Sequence, residues 1–119
     1  MEITILQYPQ CSTCKKAIRW LDEKHIKYQS RNIKTDNPNK EELKTWYHQS
    51  SYPLKRFFNT SGQLYRENNL KDKVNTASED ELLTLLSTNG MLIKRPLIIG
   101  KDFVLVGFKI SEWEEKLLK

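Results

Sequence analysis

Hydrophobic and polar positions along this chain fall into short runs separated by turn-forming residues. Residues 2–7 are an aliphatic, β-branched run that reads as a buried strand. Over 12–25, Cys14, Ala17, Ile18 and Leu21 share one face at helical spacing, while Arg19, Asp22 and Glu23 lie elsewhere. That spacing predicts a first helix packed on a core. Residues 26–33 alternate weakly and predict a second strand. Thr35-Asp36-Asn37-Pro38-Asn39 is dense in turn formers. Asn39 before Lys40-Glu41-Glu42 then suits the N-cap of a helix over about 40–50, with Leu43, Trp46 and Tyr47 on one face.

The middle of the chain is less regular. Pro53 is placed to open a short helix from Leu54 to Phe58, and Asn59-Thr60-Ser61-Gly62 reads as a turn. A second short helix is expected through Leu64-Tyr65 to Leu70. Leu54, Phe57, Phe58 and Tyr65 read as a packing cluster more readily than as a binding box. Ser78 with Glu81 fits a capping box for a helix at 79–88 whose core side is Leu82, Leu83, Leu85 and Leu86, and Asn89-Gly90 should end it. Residues 97–100 and 103–106 read as strands joined by a tight hairpin at Gly100-Lys101-Asp102. A last helix is predicted over 110–118, with Ile110, Trp113, Leu117 and Leu118 inward.

The order is therefore βαβ, a helical insertion over about 38–90, then a hairpin and a helix. It predicts an α/β fold with a mixed sheet, flanking helices and a right-handed first crossover. With 119 residues, one domain spanning 1–119 is expected. No apolar run has the length to cross a membrane, and the start of the chain lacks a secretion signal, so a cytoplasmic, monomeric protein is expected. The net charge of +5 comes from 20 Lys and Arg against 15 Asp and Glu, interleaved rather than blocked. That distribution argues against direct nucleic-acid binding and suits an anionic substrate or an acidic protein surface better.

The candidate chemistry lies in Tyr8-Pro9-Gln10-Cys11-Ser12-Thr13-Cys14-Lys15-Lys16-Ala17, between the first strand and the first helix. The first turn of a helix offers unpaired N–H groups and the positive end of the macrodipole, and a thiol held there is more easily ionised to its reactive form. Cys11 should lie at the mouth of the turn, with Cys14 one turn further in and placed to attack a sulfur partner formed on Cys11. Lys15 and Lys16 add positive charge. Half of a zinc site and a pair of inert core cysteines are the competing readings. Structural zinc needs four ligands, however, and His25 and His48 do not supply a second pair, so no metal is expected. A CxxC at a strand–helix junction in a reducing compartment is the thioredoxin-like redox signature.

Lys94-Arg95-Pro96 forms a second constellation, immediately before a core strand. Proline there marks the first position of the strand or a cis turn. In a thioredoxin-like arrangement this junction faces the CxxC turn. A cis Pro96 would present backbone to a disulfide partner and aim Arg95 at Cys11, where a guanidinium favours thiolate and holds an anion. A plain strand-start proline with a solvated arginine is the competing reading.

Over essentially its whole length the chain resembles the arsenate reductase (ArsC) family of thioredoxin-like proteins. The resemblance rests on Pro9-Gln10-Cys11-Ser12-Thr13-Cys14-Lys15-Lys16-Ala17, Arg31-Asn32-Ile33, Asn59-Thr60-Ser61-Gly62, Lys94-Arg95-Pro96-Leu97-Ile98 and Val106-Gly107-Phe108. Within the family the chain is similar to the branch that includes the Spx and MgsR regulators. The resemblance implies a four-stranded mixed sheet with an inserted helical lobe. It matches Cys11 to the attacking cysteine of the reductases and to the first switch cysteine of Spx, Cys14 to the second switch cysteine, and Arg95 to an oxyanion-binding arginine. A second reductase arginine falls in the neighbourhood of Lys55-Arg56-Phe57, where Arg56 can substitute. A third falls near Val106-Gly107-Phe108, which holds no arginine.

Two functions of different class follow, and a third without chemistry. As an enzyme, the protein runs thiol–disulfide exchange at Cys11, resolved by Cys14, with Arg95 and Pro96, the first-turn residues Ser12 and Thr13, and Arg56 holding an anion. It needs no bound cofactor, only a thiol reductant such as thioredoxin or a small thiol. As a redox-sensing regulator, the same disulfide reshapes the first helix for a protein partner, the RNA polymerase α-subunit. As an interaction domain, it carries a retired site.

Overall fold

The computed structural model describes residues 2–118. Strand β1 (Thr4–Gln7) leads into helix α1 (Ser12–Glu23), and β2 (Gln29–Asn32) returns parallel to β1, with Ile5 opposite Ser30 and Gln7 opposite Asn32. Helices α2 (Lys40–Gln49), α3 (Gln63–Glu67), α4 (Leu70–Thr76) and α5 (Glu79–Ser87) follow, with short 3₁₀ turns at Leu54–Phe57 and Gly90–Leu92. Strands β3 (Leu97–Ile99) and β4 (Val104–Val106) form a hairpin, and α6 (Ile110–Leu117) closes the described chain. The sheet order is β2-β1-β3-β4, with β1–β3 and β3–β4 antiparallel. This is the thioredoxin-like mixed sheet that the sequence implied.

The period-2 pattern of each strand sorts its side chains onto two faces. Ile3, Ile5, Ile98 and Leu105 pack with Ala17, Trp20 and Leu21 of α1 and with Trp113 and Leu117 of α6. Leu6, Leu97, Val104 and Val106 face the other way, onto the helical lobe and its Leu43, Phe57, Phe58, Leu83 and Leu86. Both faces are thus covered, as a sheet with a parallel pair requires. No helix among the described residues is long and apolar enough to cross a membrane.

Local signals account for the element ends. Asn39 caps α2 in a complete capping box: its side chain accepts from Glu42 N (2.8 Å), and the Glu42 carboxylate accepts from Asn39 N (3.1 Å). Glu42 also takes both terminal nitrogens of Arg31, at 2.7 and 3.0 Å, tying β2 to the lobe. Ser78 caps α5 only half as expected. Its hydroxyl accepts from Glu81 N (3.2 Å), but Glu81 reaches the hydroxyl at 3.4 Å rather than the cap backbone.

Four expectations need correction. The second short helix does not run through to Leu70; it stops at Glu67, and Asn69 in the left-handed region starts a new helix, α4. Helix α1 ends at Glu23, and β2 shortens to four residues because Ile26 and Tyr28 pack as loop residues on the α1 face. Gly90 is not a left-handed cap for α5. It is buried against the carbonyl of Ile33, where a Cβ would fall 1.7 Å from the oxygen. In α6, Trp113 and Leu117 are buried as expected, but Ile110 and Leu118 are 48% and 46% exposed. They stand at the two ends of the helix, where no other element covers them.

Candidate active site

The Cys11 turn is built by backbone. After β1, Cys11 N–H donates to the carbonyl of Tyr8 (2.9 Å), which closes the turn and leaves Cys11 extended at the N-cap of α1. The Cys11 sulfur then accepts from Cys14 N–H at 3.3 Å, the capping contact that Ser or Asp usually supplies. Cys11 is half-buried, and Ser12 and Thr13 of the first turn are exposed.

Cys14 differs sharply. Its side chain is fully buried, and both cysteines are free thiols. Burial pushes the Cys14 thiol up to about 12, helped by the hydrogen bond and charge of Cys11, while the Tyr8 backbone and the Arg95 charge pull the other way. The two cysteines therefore divide as outer and inner thiol.

The Arg95–Pro96 peptide is cis, as one of the two sequence readings expected. Pro96 is buried, and its carbonyl accepts from Gly107 N–H at 2.8 Å, which locks the start of β3 to the end of β4. Arg95 Nη1 donates to the carbonyls of Ile93 (3.3 Å) and Met91 (3.4 Å). Its guanidinium carbon lies 5.7 Å from the centroid of the Tyr8 ring. Arg95 Nε is closed off from solvent and has no hydrogen-bond partner among the described residues. An arginine fixed on one edge with an unused buried donor on the other is prepared for an acceptor, and its charge reaches the inner thiol.

Arg56 lies exposed, its guanidinium stacked 4.5 Å above the Tyr52 ring. Tyr52 donates to Glu112 (2.9 Å) and its hydroxyl lies at the Val106 backbone, so Arg56 is carried to the β4 end of the sheet that Pro96 also meets. Arg56 makes no hydrogen bond or ion pair with Cys11 or Arg95. In the Val106-Gly107-Phe108 stretch, Gly107 has a φ of +77°, which suits glycine, and the Lys94 stem lies 3.3 Å from where a Cβ would stand. Tyr8 and Lys34 belong to the site only through the fold. Lys34 Nζ also lies 5.7 Å from the Tyr8 centroid. The only available signal was the position of Tyr8, three residues ahead of Cys11. Among the described residues no cluster of three or more His, Cys, Asp or Glu is placed to hold a metal ion.

Comparison with known proteins agrees with this geometry. The family model for the ArsC family matches residues 6–116. A crystal structure of an ArsC family related protein from Bacteroides fragilis superposes with a TM-score of 0.94, at 54% identity over 97% of each chain. Protein YusI of Bacillus subtilis is 50% identical over 97% of this chain and 98% of its own. The global transcriptional regulator Spx of Streptococcus agalactiae is 30% identical over 92% of this chain and 79% of its own. A CxxC at the mouth of α1, a cis proline at the start of β3 and the match along nearly the whole chain lead to one conclusion: this chain belongs to the ArsC family.

Proposed function

We propose that the protein is a thiol–disulfide oxidoreductase in which Cys11 is the nucleophile and Cys14 the resolving thiol. The reading is carried by the asymmetry of the pair. Cys14 is buried and held as thiol, whereas Cys11 is only half-buried and its sulfur accepts the Cys14 N–H at the α1 terminus.

The reaction follows from that asymmetry. Cys11 thiolate attacks one sulfur of a disulfide; the substrate S–S bond breaks, one thiolate leaves and takes a proton, and a mixed disulfide forms on Cys11. The hydrogen bond and charge of Cys11, two of the causes that raise Cys14, are then gone, while Arg95 remains. Cys14 gives up its proton and attacks the Cys11 sulfur, and the second thiol departs. The substrate gains two electrons, and the Cys11–Cys14 pair is left as a disulfide. A thiol reductant, thioredoxin or a small thiol, restores it by the reverse exchange. Arg95 and the N–H groups at Ser12 and Thr13 stabilise the thiolates in passing. Arg56 adds charge at the rim. A disulfide suits the site better than a free oxyanion, because Arg56 is engaged on Tyr52 and position 107 has no cation.

The test is turnover of a neutral small disulfide, and separately of arsenate, with a thioredoxin system. Wild type should reduce the disulfide, Cys11→Ser should abolish turnover, and Cys14→Ser should stop after one event. Turnover surviving in Cys11→Ser overturns the reading, and turnover on arsenate alone moves it to oxyanion reduction.

The match to Spx supports a second reading, a redox-sensing regulator of the cytoplasm. There the Cys11–Cys14 disulfide would shift α1 against its packing partners, and the RNA polymerase α-subunit would read the change. Capture of the purified α-subunit by reduced and oxidised protein separates the two: a state-dependent difference favours the regulator.

A further inference from the structure

Tyr8 carries two cations on one ring. Arg95 Cζ and Lys34 Nζ each lie 5.7 Å from its centroid, so they stand no farther apart than twice that distance. The register of the sheet creates the pairing. Asn32 lies opposite Gln7, and Ile33 N–H donates to Gln7 O (2.9 Å), so Tyr8 and Lys34 leave neighbouring strand ends together. Asn32 then folds the chain back, its side chain accepting from Lys34 N (2.9 Å) and Thr35 N (3.1 Å). The Tyr8 hydroxyl donates to Gln10 (3.1 Å), and its carbonyl closes the Cys11 turn, so the ring is fixed relative to the sulfur.

Two like charges held on one ring repel each other. Among the described residues neither has a carboxylate within ion-pair distance, although Arg31, Lys40 and His48 all find one. The buried Arg95 Nε also lacks a partner. An anion held by both cations would offset the repulsion.

We propose that Tyr8 and Lys34 build, together with Arg95, a subsite for the negatively charged arm of a small disulfide substrate. The substrate class is then the disulfide of a carboxylate-bearing thiol, with its sulfur at Cys11 and its carboxylate on the Arg95–Lys34 pair. Tyr8 is the positioning residue and Lys34 the specificity residue. The proposal rests on the nucleophilic reading of Cys11, so the test separates the two.

The experiment measures second-order rates of Cys11 modification in the Cys14→Ser background. The probes are an anionic aromatic disulfide carrying carboxylates and a neutral dipyridyl disulfide. The readout is the anionic-to-neutral rate ratio. Lys34→Gln should lower the ratio about three-fold, the size of one exposed charge pair, and Lys34→Arg should restore it. Tyr8→Leu should lower it further, to about a tenth of the parent ratio, by releasing both cations, whereas Tyr8→Phe should keep it. Added salt should erase the difference between parent and Lys34→Gln. Equal ratios in parent and Lys34→Gln, which leaves the fold's core untouched, overturn the subsite. A Cys11 that reacts with the neutral probe no faster than free cysteine overturns the nucleophilic reading instead and leaves the ratio to judge the subsite.

Discussion

The backbone N–H of Cys14 points at the sulfur of Cys11 over 3.3 Å. One hydrogen bond thus makes Cys11 the cap of α1 and fixes the spacing of the two thiols. The same turn that starts the helix leaves the Cys11 sulfur at its open mouth and buries Cys14 one turn further in, beside Ala17.

The first prediction concerns chemical selectivity. Near neutral pH, iodoacetamide should modify Cys11 and leave Cys14 intact, because Cys14 is fully buried and its thiol is pushed up to about 12. Peptide mass mapping against a denatured control checks this. Comparable modification of both residues in the folded protein would contradict the division into outer and inner thiol.

Stability should fall in alkali. The Cys14 pKa rises from its ordinary 9.0 to about 12 on folding, so the folded state keeps a proton that the unfolded state gives up. That contribution is complete below about pH 9 and is lost as pH rises toward 12, at about 1.4 kcal/mol per pH unit for one proton. Tyr52, raised from its ordinary 10.0 to about 12 by burial and Glu112, adds to the loss at the upper end. Urea melts across this window should show a shallower decline for Cys14→Ala than for wild type; parallel slopes would remove Cys14 as the cause.

Gly90→Ala should be among the costliest single-methyl changes in the chain. The added carbon would meet Ile33 O at 1.7 Å and Ile33 C at 2.7 Å, both backbone atoms. The loop after β2 or the Gly90–Leu92 turn must move, at about 3 kcal/mol. A drop in Tm several times that of Gly62→Ala, whose nearest neighbour is the flexible Asn59 side chain, is the expected result.

Glu42→Gln should cost about 1–2 kcal/mol at neutral pH, since it weakens the bidentate contact with Arg31 and the reach to Asn39 N–H together. The Arg31 guanidinium holds the Glu42 carboxyl below its ordinary 4.5, so its contribution is present above that pH and fades as pH falls through the lowered value. The deficit of the variant, measured by urea melts, should therefore shrink as pH is taken below 4.5.

The strands and the two ends of the sheet were legible in the sequence because their signals are local. Ile3 to Leu6 form a short aliphatic, β-branched run, Gly100-Lys101-Asp102 turns, and Arg95-Pro96 announces a strand start. The helical lobe was less legible. The break at Asn68-Asn69 depends on a left-handed residue that several side chains tolerate poorly but Asn accepts, and no apolar periodicity marks it. Gly90 looked like a helix terminator because glycine commonly is one; its actual reason is a close approach to Ile33, 57 residues earlier, which only the folded chain reveals. The site divides in the same way. Cys11, Cys14, Arg95 and Pro96 sit in short motifs, whereas Tyr8 and Lys34 meet through strand register, and Arg56 reaches the β4 end only through Tyr52.

The central claim is that Cys11 attacks and Cys14 resolves. Intact-protein mass spectrometry after one equivalent of a neutral small disulfide tests it most directly. Wild type should pass through a transient adduct and end two hydrogens lighter than the reduced protein, with Cys11 and Cys14 joined; Cys14→Ser should keep the adduct on Cys11. An adduct on Cys14, or a wild-type adduct on Cys11 that persists as it does in Cys14→Ser, would contradict it.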